Sequence, residues 1–222
     1  QGALPEIWSY GHRNVQGAAL NPVTGELWAN EHGPKGGDEL NRVLPGRNYG
    51  WPTVSYGVEY SGGKISDSGT APGIEPPVHY WVPSIAISGL MFYTGERFPA
   101  WQGSAFVGGL KSQQLVRLKV EGDRVVEEER LLSGVVKERV RDVGHRHPDG
   151  GVLTRAERDG KGVGHIVQLV DRYEHTGSHL LRDVAVVAQH PGDRLRTDSC
   201  TRGDVTHRGH EQAPSSSCST FL

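Results

Sequence analysis

The feature that most constrains this 222-residue chain is a strand pattern that recurs within its first 142 residues. Residues 17–31, GAALNPVTGELWANE, have the pattern strand, turn, strand, with Thr24-Gly25 in the turn. Residues 88–132 repeat the theme, and Gly122-Asp123 marks a hairpin turn between their last two strands. The apolar runs of this second unit are Leu90–Phe92, Ala105–Val107, Leu115–Leu118 and Val125–Val126. Recurring antiparallel units of four strands predict an all-β chain made of β-propeller blades.

The chain contains too few of these units for a closed propeller. A propeller has roughly four to eight blades, whereas about two blades and part of a third, beginning at residue 141, are recognisable here. Incomplete closure leaves sheet edges exposed, which favours aggregation. We therefore expect a partial propeller, the C-terminal half of a larger one, followed by an irregular tail.

Composition divides the chain at about residue 142. All five Trp lie before residue 102, and after residue 142 the only Tyr and Phe are Tyr173 and Phe221. Histidine is concentrated beyond residue 144, and both cysteines, Cys200 and Cys218, lie near the end. We therefore predict a core-forming region at 1–142 and, at 143–222, degenerate last strands with a disordered tail. The abrupt change also suggests the hypothesis that the sequence is frameshifted or chimeric after about residue 143.

The bulk properties exclude several functions. A formal net charge of −2 gives no global reason to expect binding to nucleic acid. No apolar run reaches the roughly 18 residues of a membrane span, and the first residues do not have the pattern of a signal peptide. Two cysteines indicate neither a disulfide scaffold nor a zinc site.

Four clusters carry the groups that could bind a ligand. The first cluster, at the beginning of a strand, contains Arg13, Asn14 and Gln16. The second is Lys111, which lies between two strands. The third contains Arg139 and Arg141, which share one face if that segment is extended. These cations suit a small polyanion, because guanidinium groups pair bidentately with carboxylates. The fourth cluster is the glycine-rich segment 30–52.

Segment 30–52, NEHGPKGGDELNRVLPGRNYGWP, exposes main-chain carbonyl groups. Glycine lets a ligand approach the backbone closely, and carbonyl oxygens are ligands for Ca²⁺. By itself such a loop could equally be a tight connection between strands. Its acidic pair, Asp38-Glu39, either adds an outer layer to a cation site or only caps the loop.

Several long motifs, in the same order, resemble the soluble PQQ-dependent (pyrroloquinoline-quinone-dependent) aldose sugar dehydrogenases of the glucose/sorbosone dehydrogenase family. They cover residues 4 to about 143 and read LPEIWSYGHRNVQG, EHGPKGGDELNRVLPGRNYGWP, YWVPSIAISGLMFY, FVGGLKSQQLVRL and ERVRDV. The resemblance implies a six-bladed propeller whose cofactor, PQQ, is held by Ca²⁺ at the top of the central channel. It also implies an aldose substrate, an external electron acceptor and a periplasmic or secreted location.

The resemblance also implies roles for individual residues. Arg13 is placed beside the reactive quinone carbonyl and is the expected catalytic residue, with Asn14 and Gln16 as neighbours. The main-chain carbonyls of Gly33 and Pro34 become the Ca²⁺ ligands. The remaining expected cofactor contacts are Trp81, Ser84, Lys111, Arg139 and Arg141.

The chain departs from the family pattern in two respects. The family's general base is a histidine from the N-terminal half, and His12 does not occupy that motif position. We therefore expect the 222 residues alone to be inactive. After RVRDV the expected aromatic residue and double leucine are missing.

Two other functions fit a partial propeller. One is a non-catalytic module that binds a sugar, a peptide or a protein, but it would not need the cation cluster. The other is a Ca²⁺-dependent hydrolase of the lactonase type, which would need inward-facing Asp, Asn and Glu side chains as ligands.

Overall fold

The computed structural model of the protein describes residues 4–145 and, beyond them, the strands Val152–Glu157, Ile166–Asp171 and Val184–Gln189. These residues form three antiparallel four-stranded sheets, in which each strand pairs with the next one in the chain. The prediction of an all-β fold is confirmed. Among the described residues, no helix has the length and apolar character needed to cross a membrane.

The strands of each sheet follow one another directly in sequence. The first sheet contains β1 (Val15–Leu20), β2 (Leu27–Glu31), β3 (Asp38–Arg42) and β4 (His79–Trp81). The second contains β5 (Ile87–Phe92), β6 (Ala105–Gly109), β7 (Gln114–Glu121) and β8 (Arg124–Leu131), with a short 3₁₀ helix at Pro99–Trp101. The third contains β9 (Arg139–His145), β10 (Val152–Glu157), β11 (Ile166–Asp171) and β12 (Val184–Gln189).

Both predicted turns connect paired strands. Gly25 has φ +72° in the turn between β1 and β2, and the Asn21 side chain accepts the backbone N–H of Val23 there. Gly122 has φ +64° in the hairpin between β7 and β8. Positive φ is tolerated by glycine at little cost, because it lacks a Cβ. Both turn predictions are therefore confirmed.

The first strands of the three sheets lie side by side. Close approach is possible because glycines face the neighbouring backbone: a Cβ on Gly17 would lie 2.6 Å from the amide nitrogen of Leu90, and one on Gly89 would lie 2.4 Å from Oδ1 of Asp142. Ser88 of β5 forms hydrogen bonds to both neighbouring sheets. Its carbonyl accepts Nδ2 of Asn30 at 2.8 Å, and its hydroxyl donates to the Val140 carbonyl at 2.7 Å. Successive four-stranded sheets that meet along their first strands are arranged as propeller blades are.

The second sheet is covered on both faces. Because side chains alternate along a strand, Leu90 and Phe92 pack toward the first sheet, whereas Met91 packs toward the third. The cluster between the first and second sheets includes Trp28, Leu40, Trp81, Ile87 and Val116. The cluster between the second and third sheets includes Tyr93, Trp101, Phe106, Leu115 and Val140. The aromatic residues concentrated in the first region of the sequence thus supply the cores between sheets.

The predicted boundary between residues 142 and 143 falls inside β9. Strands β10, β11 and β12 lie in the part of the chain for which degenerate last strands were expected. The rest of the predicted tail lies outside the described residues, so the boundary and the frameshift hypothesis stay predictions.

A polar contact joins the outermost strands of the first two sheets. Oε2 of Glu128 on β8 lies 2.9 Å from Nε2 of His79 and accepts the indole N–H of Trp81 at 3.1 Å, while its Oε1 accepts Nε of Arg130 at 2.8 Å. The hydrogen bond to His79, opposed by partial burial and aided by Arg130, lowers the pKa of Glu128 from its ordinary 4.5 to about 2. The charged carboxylate therefore stabilises the junction between the sheets.

We predict that Glu128→Gln lowers the free energy of unfolding by about 1–3 kcal/mol at pH 7. A lowered folded-state pKa contributes stability above pH 4.5, and that stability is lost as the pH falls through about 2. In thermal unfolding experiments, the difference in melting temperature between the variant and the parent should therefore become smaller as the pH falls from 5 to 2. Glu59→Gln, at an exposed position, serves as the control; a pH-independent difference for Glu128→Gln would contradict the account.

We predict that Gly89→Ala destabilises the contact between β5 and β9. The added methyl group would lie 2.4 Å from Asp142 Oδ1 and 3.0 Å from the amide nitrogen of Val143, and overpacking of this kind costs about 1–3 kcal/mol. Gly144→Ala on β9 is the matched control, since a Cβ there meets nothing within 4 Å. Equal melting temperatures for the two variants would show that the first strands are not packed this closely.

Candidate functional site

The topology places the predicted site residues at one end of the sheets. In an antiparallel sheet of four sequential strands, the first and third strands begin at the end where the second and fourth strands finish. Arg13 and Asn14 precede β1, Gly33 and Pro34 connect β2 to β3, and Ser84 precedes β5. Lys111 connects β6 to β7, Trp81 ends β4, and Arg139 begins β9. We call this end, where the first strand of each sheet begins, the site end.

Asp38 joins two loops at the site end. Its side chain is completely buried, and its Oδ1 accepts the backbone N–H of Gly33 at 3.2 Å. Its Oδ2 accepts the Ser84 hydroxyl at 2.7 Å and the Ala86 backbone N–H at 2.9 Å. Burial acts to raise the pKa of Asp38, but hydrogen bonds from His32, Ser84 and Gly33 outweigh it and leave the pKa below its ordinary value. Asp38 is therefore a buried, fully hydrogen-bonded carboxylate.

The same set of hydrogen bonds extends to the loop that carries Lys111. The backbone N–H of Leu110 donates to the Ala86 carbonyl at 2.7 Å, and that of Lys111 donates to the Ile85 carbonyl at 3.1 Å. The Lys111 residue itself is exposed. Its backbone is thus fixed, although the residue as a whole is exposed.

Arg13 lies directly against the glycine-rich loop. Its Nη1 donates to the carbonyl of His32 at 3.1 Å and to that of Gly33 at 3.0 Å, and its guanidinium lies 5.1 Å from the ring centroid of Trp51. The Nε atom of Arg13 is buried and has no hydrogen-bond partner among the residues that the structure describes. A buried donor without a partner is costly, so the guanidinium of Arg13 has unused hydrogen-bonding capacity at this position.

Glu31 fixes the backbone that carries Arg13. Its carboxylate accepts the backbone N–H groups of Arg13 and Asn14, and Nδ2 of Asn41 donates to it at 2.9 Å. Nδ1 of His12 lies 3.1 Å from the same carboxylate. Arg13 is therefore held by its main chain as well as by its guanidinium.

Glu39 is the residue with the most perturbed carboxyl group at the site end. It lies directly opposite Glu31 across β2 and β3. Burial raises its pKa to about 7, and the charge of Glu31 adds to the effect. Glu39 shares one pocket with Arg13, Glu31, Gly33 and Trp51. This pocket thus combines a guanidinium group with a carboxyl group that titrates near neutrality.

The other predicted residues have different surroundings. Gln16 is exposed and donates to the Asn14 side chain at 2.9 Å. Trp81 is only 3% exposed and packs in the cluster between the first two sheets, with its indole N–H bound to Glu128. Arg139 and Arg141 are exposed on β9, alternating with buried Val140. Their contacts with a cofactor, like that of Trp81, stay predictions.

The sequence analysis missed Glu31 as a functional residue and left the role of Asp38 open. A signal was available for both residues. Each is an acidic residue beside the glycine-rich segment 32–37, at the end of a strand, and a carboxylate that is buried there requires hydrogen-bond partners. What the sequence could not give was the identity of those partners, most of which come from other loops.

The loop at Gly33 and Pro34 has the chemistry expected of a site for a hard cation. Both residues are buried. A Cβ on Gly33 would lie 2.1 Å from the Gly36 carbonyl oxygen and 2.4 Å from that of Gly37, so only glycine fits there. Among the described residues, no group of three or more His, Cys, Asp or Glu side chains is arranged to hold a metal. Backbone oxygens at this loop fit the preference of Ca²⁺.

The known proteins that this chain resembles include several aldose sugar dehydrogenases. The chain is 48% identical over 151 residues to "Aldose sugar dehydrogenase YliI" of Escherichia coli (strain K12), a match that covers 67% of this chain and 40% of that protein. The crystal structure of the soluble aldose sugar dehydrogenase from Escherichia coli in the apo-form has 45% sequence identity and a TM-score of 0.66, covering 71% of this chain and 45% of that one. The PQQ-bound aldose sugar dehydrogenase from Streptomyces coelicolor has 27% identity and a TM-score of 0.55, covering 73% and 44% respectively.

These matches also show how much of the length of its relatives the chain covers. It spans about 40% of the length of the Escherichia coli relative. The family match is independent of that coverage, because the sequence model of the family described as "Glucose / Sorbosone dehydrogenase" matches residues 1–168. The chain belongs to the glucose/sorbosone dehydrogenase family.

Proposed function

We propose that this chain is the C-terminal part of a PQQ- and calcium-dependent dehydrogenase that oxidises aldose sugars at the anomeric carbon to the lactone. The main support is the position of Arg13, whose guanidinium lies against the buried Gly33 carbonyl while its buried Nε lacks a partner among the described residues. The chain's membership of the family and the PQQ-bound relative from Streptomyces coelicolor agree with this proposal. The complete protein is proposed to be a six-bladed propeller in the periplasm or outside the cell.

The proposal assigns roles to the residues of the site end. The carbonyls of Gly33 and Pro34 hold Ca²⁺, and Arg13, with Asn14 and Gln16 beside it, donates hydrogen bonds to the quinone oxygens. Lys111, Arg139 and Arg141 bind the carboxylates of the cofactor, each charge-assisted hydrogen bond contributing about 1.5–3 kcal/mol. Ser84 and Trp81 complete the surroundings of the cofactor.

The chemistry is divided between the cofactor and the protein. When bound, PQQ supplies the two-electron acceptor and Ca²⁺ the polarising charge, and an external acceptor then removes the electrons. Arg13 stabilises negative charge that develops near its guanidinium, because its two carbonyl contacts fix its orientation in advance. The general base is proposed to come from a part of the protein outside these 222 residues.

Reconstitution tests the proposed function directly. We expect no glucose-dependent dye reduction when the 222-residue chain is mixed with PQQ and Ca²⁺, because the base is missing. Activity should appear when the chain is joined to the upstream part of the Escherichia coli relative, a fusion that we call the restored protein. Turnover by the 222 residues alone would show that the base lies within them, whereas a folded but inactive restored protein would contradict the proposed function.

We predict that Arg13→Ala in the restored protein lowers kcat by about 100-fold or more. Retention of PQQ should fall much less, since three other cations are proposed to hold the cofactor carboxylates. Dye-reduction kinetics and the absorbance of bound quinone measure the two effects separately. Arg124→Ala is the control, because Arg124 is exposed at the start of β8, at the end opposite the site; equal losses of rate and retention for Arg13→Ala would mean that Arg13 only binds.

A further inference from the structure

We infer that Asp38 is the positioning residue of the calcium loop, and that it sets the affinity for Ca²⁺ without contacting the ion. The inference rests on the proposed function, since it assumes that the Gly33 and Pro34 carbonyls hold Ca²⁺. It adds a role for a side chain that the resemblance did not assign.

The peptide group between His32 and Gly33 is held from both sides. Its N–H donates to Oδ1 of Asp38 at 3.2 Å, and its carbonyl accepts Nη1 of Arg13 at 3.1 Å. A peptide group is planar, so these two contacts fix its rotation. The next carbonyl in the chain is that of Gly33, which accepts the same Nη1 of Arg13 at 3.0 Å, so Asp38 and Arg13 together hold the peptide groups on both sides of Gly33.

The second oxygen of Asp38 connects the calcium loop to the second sheet. Oδ2 accepts the Ser84 hydroxyl and the backbone N–H of Ala86. Ala86 has φ +54°, in the left-handed region that a residue with a side chain adopts at a cost. The hydrogen bond from its N–H to Asp38, together with the one that its carbonyl accepts from Leu110, holds Ala86 in that conformation.

One buried carboxylate thus determines the position of two parts of the proposed site. Through Gly33 it orients a proposed Ca²⁺ ligand, and through Ile85 and Ala86 it fixes the backbone of Lys111. Asp38 is completely buried, and its oxygens accept three hydrogen bonds, so it does not need a ligand to satisfy it. The Ser84 hydroxyl donates to this carboxylate, which gives Ser84 a role in holding the loop.

The test is a calcium titration of the restored protein and its Asp38→Asn variant by calorimetry, in the presence of PQQ. Asparagine keeps the size of the side chain, but its Nδ2 cannot accept the hydrogen bonds that Asp38 accepts. We expect the dissociation constant for Ca²⁺ to rise about 10-fold or more, as is common when a residue that orients a metal ligand is replaced. Ser84→Ala removes the donor to Asp38 and an acceptor of the Ala86 N–H, but leaves the carboxylate in place. It should raise the dissociation constant about threefold and provides the test if Asp38→Asn does not fold.

The control separates positioning from general destabilisation. Ser88→Ala removes another buried hydrogen bond between sheets, the one to the Val140 carbonyl, and should lower the melting temperature while leaving the calcium affinity unchanged. An unchanged affinity in Asp38→Asn or, where that variant does not fold, in Ser84→Ala would overturn the inference and leave the proposed function standing. Absence of calcium binding in the unsubstituted restored protein would instead overturn the proposed function, and this inference with it.

Discussion

Two buried carboxylates, Glu31 and Asp38, organise the site end. They lie at the two ends of the loop between β2 and β3, and burying a charge without partners would cost several kcal/mol, on the order of the desolvation penalty of an ion. The partners are mainly backbone N–H groups, from Arg13 and Asn14 for Glu31 and from Gly33 and Ala86 for Asp38. Satisfying the charges therefore fixes the main chain of the segments that carry the proposed ligand contacts.

The packing of the sheets brings these segments together. Gly17 and Gly89 allow the first strands to approach closely, and Ser88 bonds to both neighbouring sheets. The loops at the site end then meet across sheet boundaries, as the contact between Asp38 and Ser84 shows.

Local features of the sequence were sufficient to predict both turns and several strands, because these depend on neighbouring residues. They did not predict β3 (Asp38–Arg42), which lies within segment 30–52 that was interpreted as a loop. Apolar runs and the glycines at positions 25 and 122 predicted strands that the structure pairs at the expected places. Contacts between sheets could not be predicted, since they join residues far apart in the chain. Trp81 illustrates this limit: its indole N–H bonds to Glu128, 47 residues away, and no local feature of the sequence indicated that partner.

The most direct measurement of the central claim is a crystal structure of the restored protein with PQQ and Ca²⁺, with calcium identified by anomalous scattering. The account predicts a calcium ion about 2.3–2.6 Å from the main-chain oxygens of both Gly33 and Pro34, with the guanidinium of Arg13 against the quinone. Calcium bound only by carboxylate side chains elsewhere, or a quinone remote from Arg13, would contradict it.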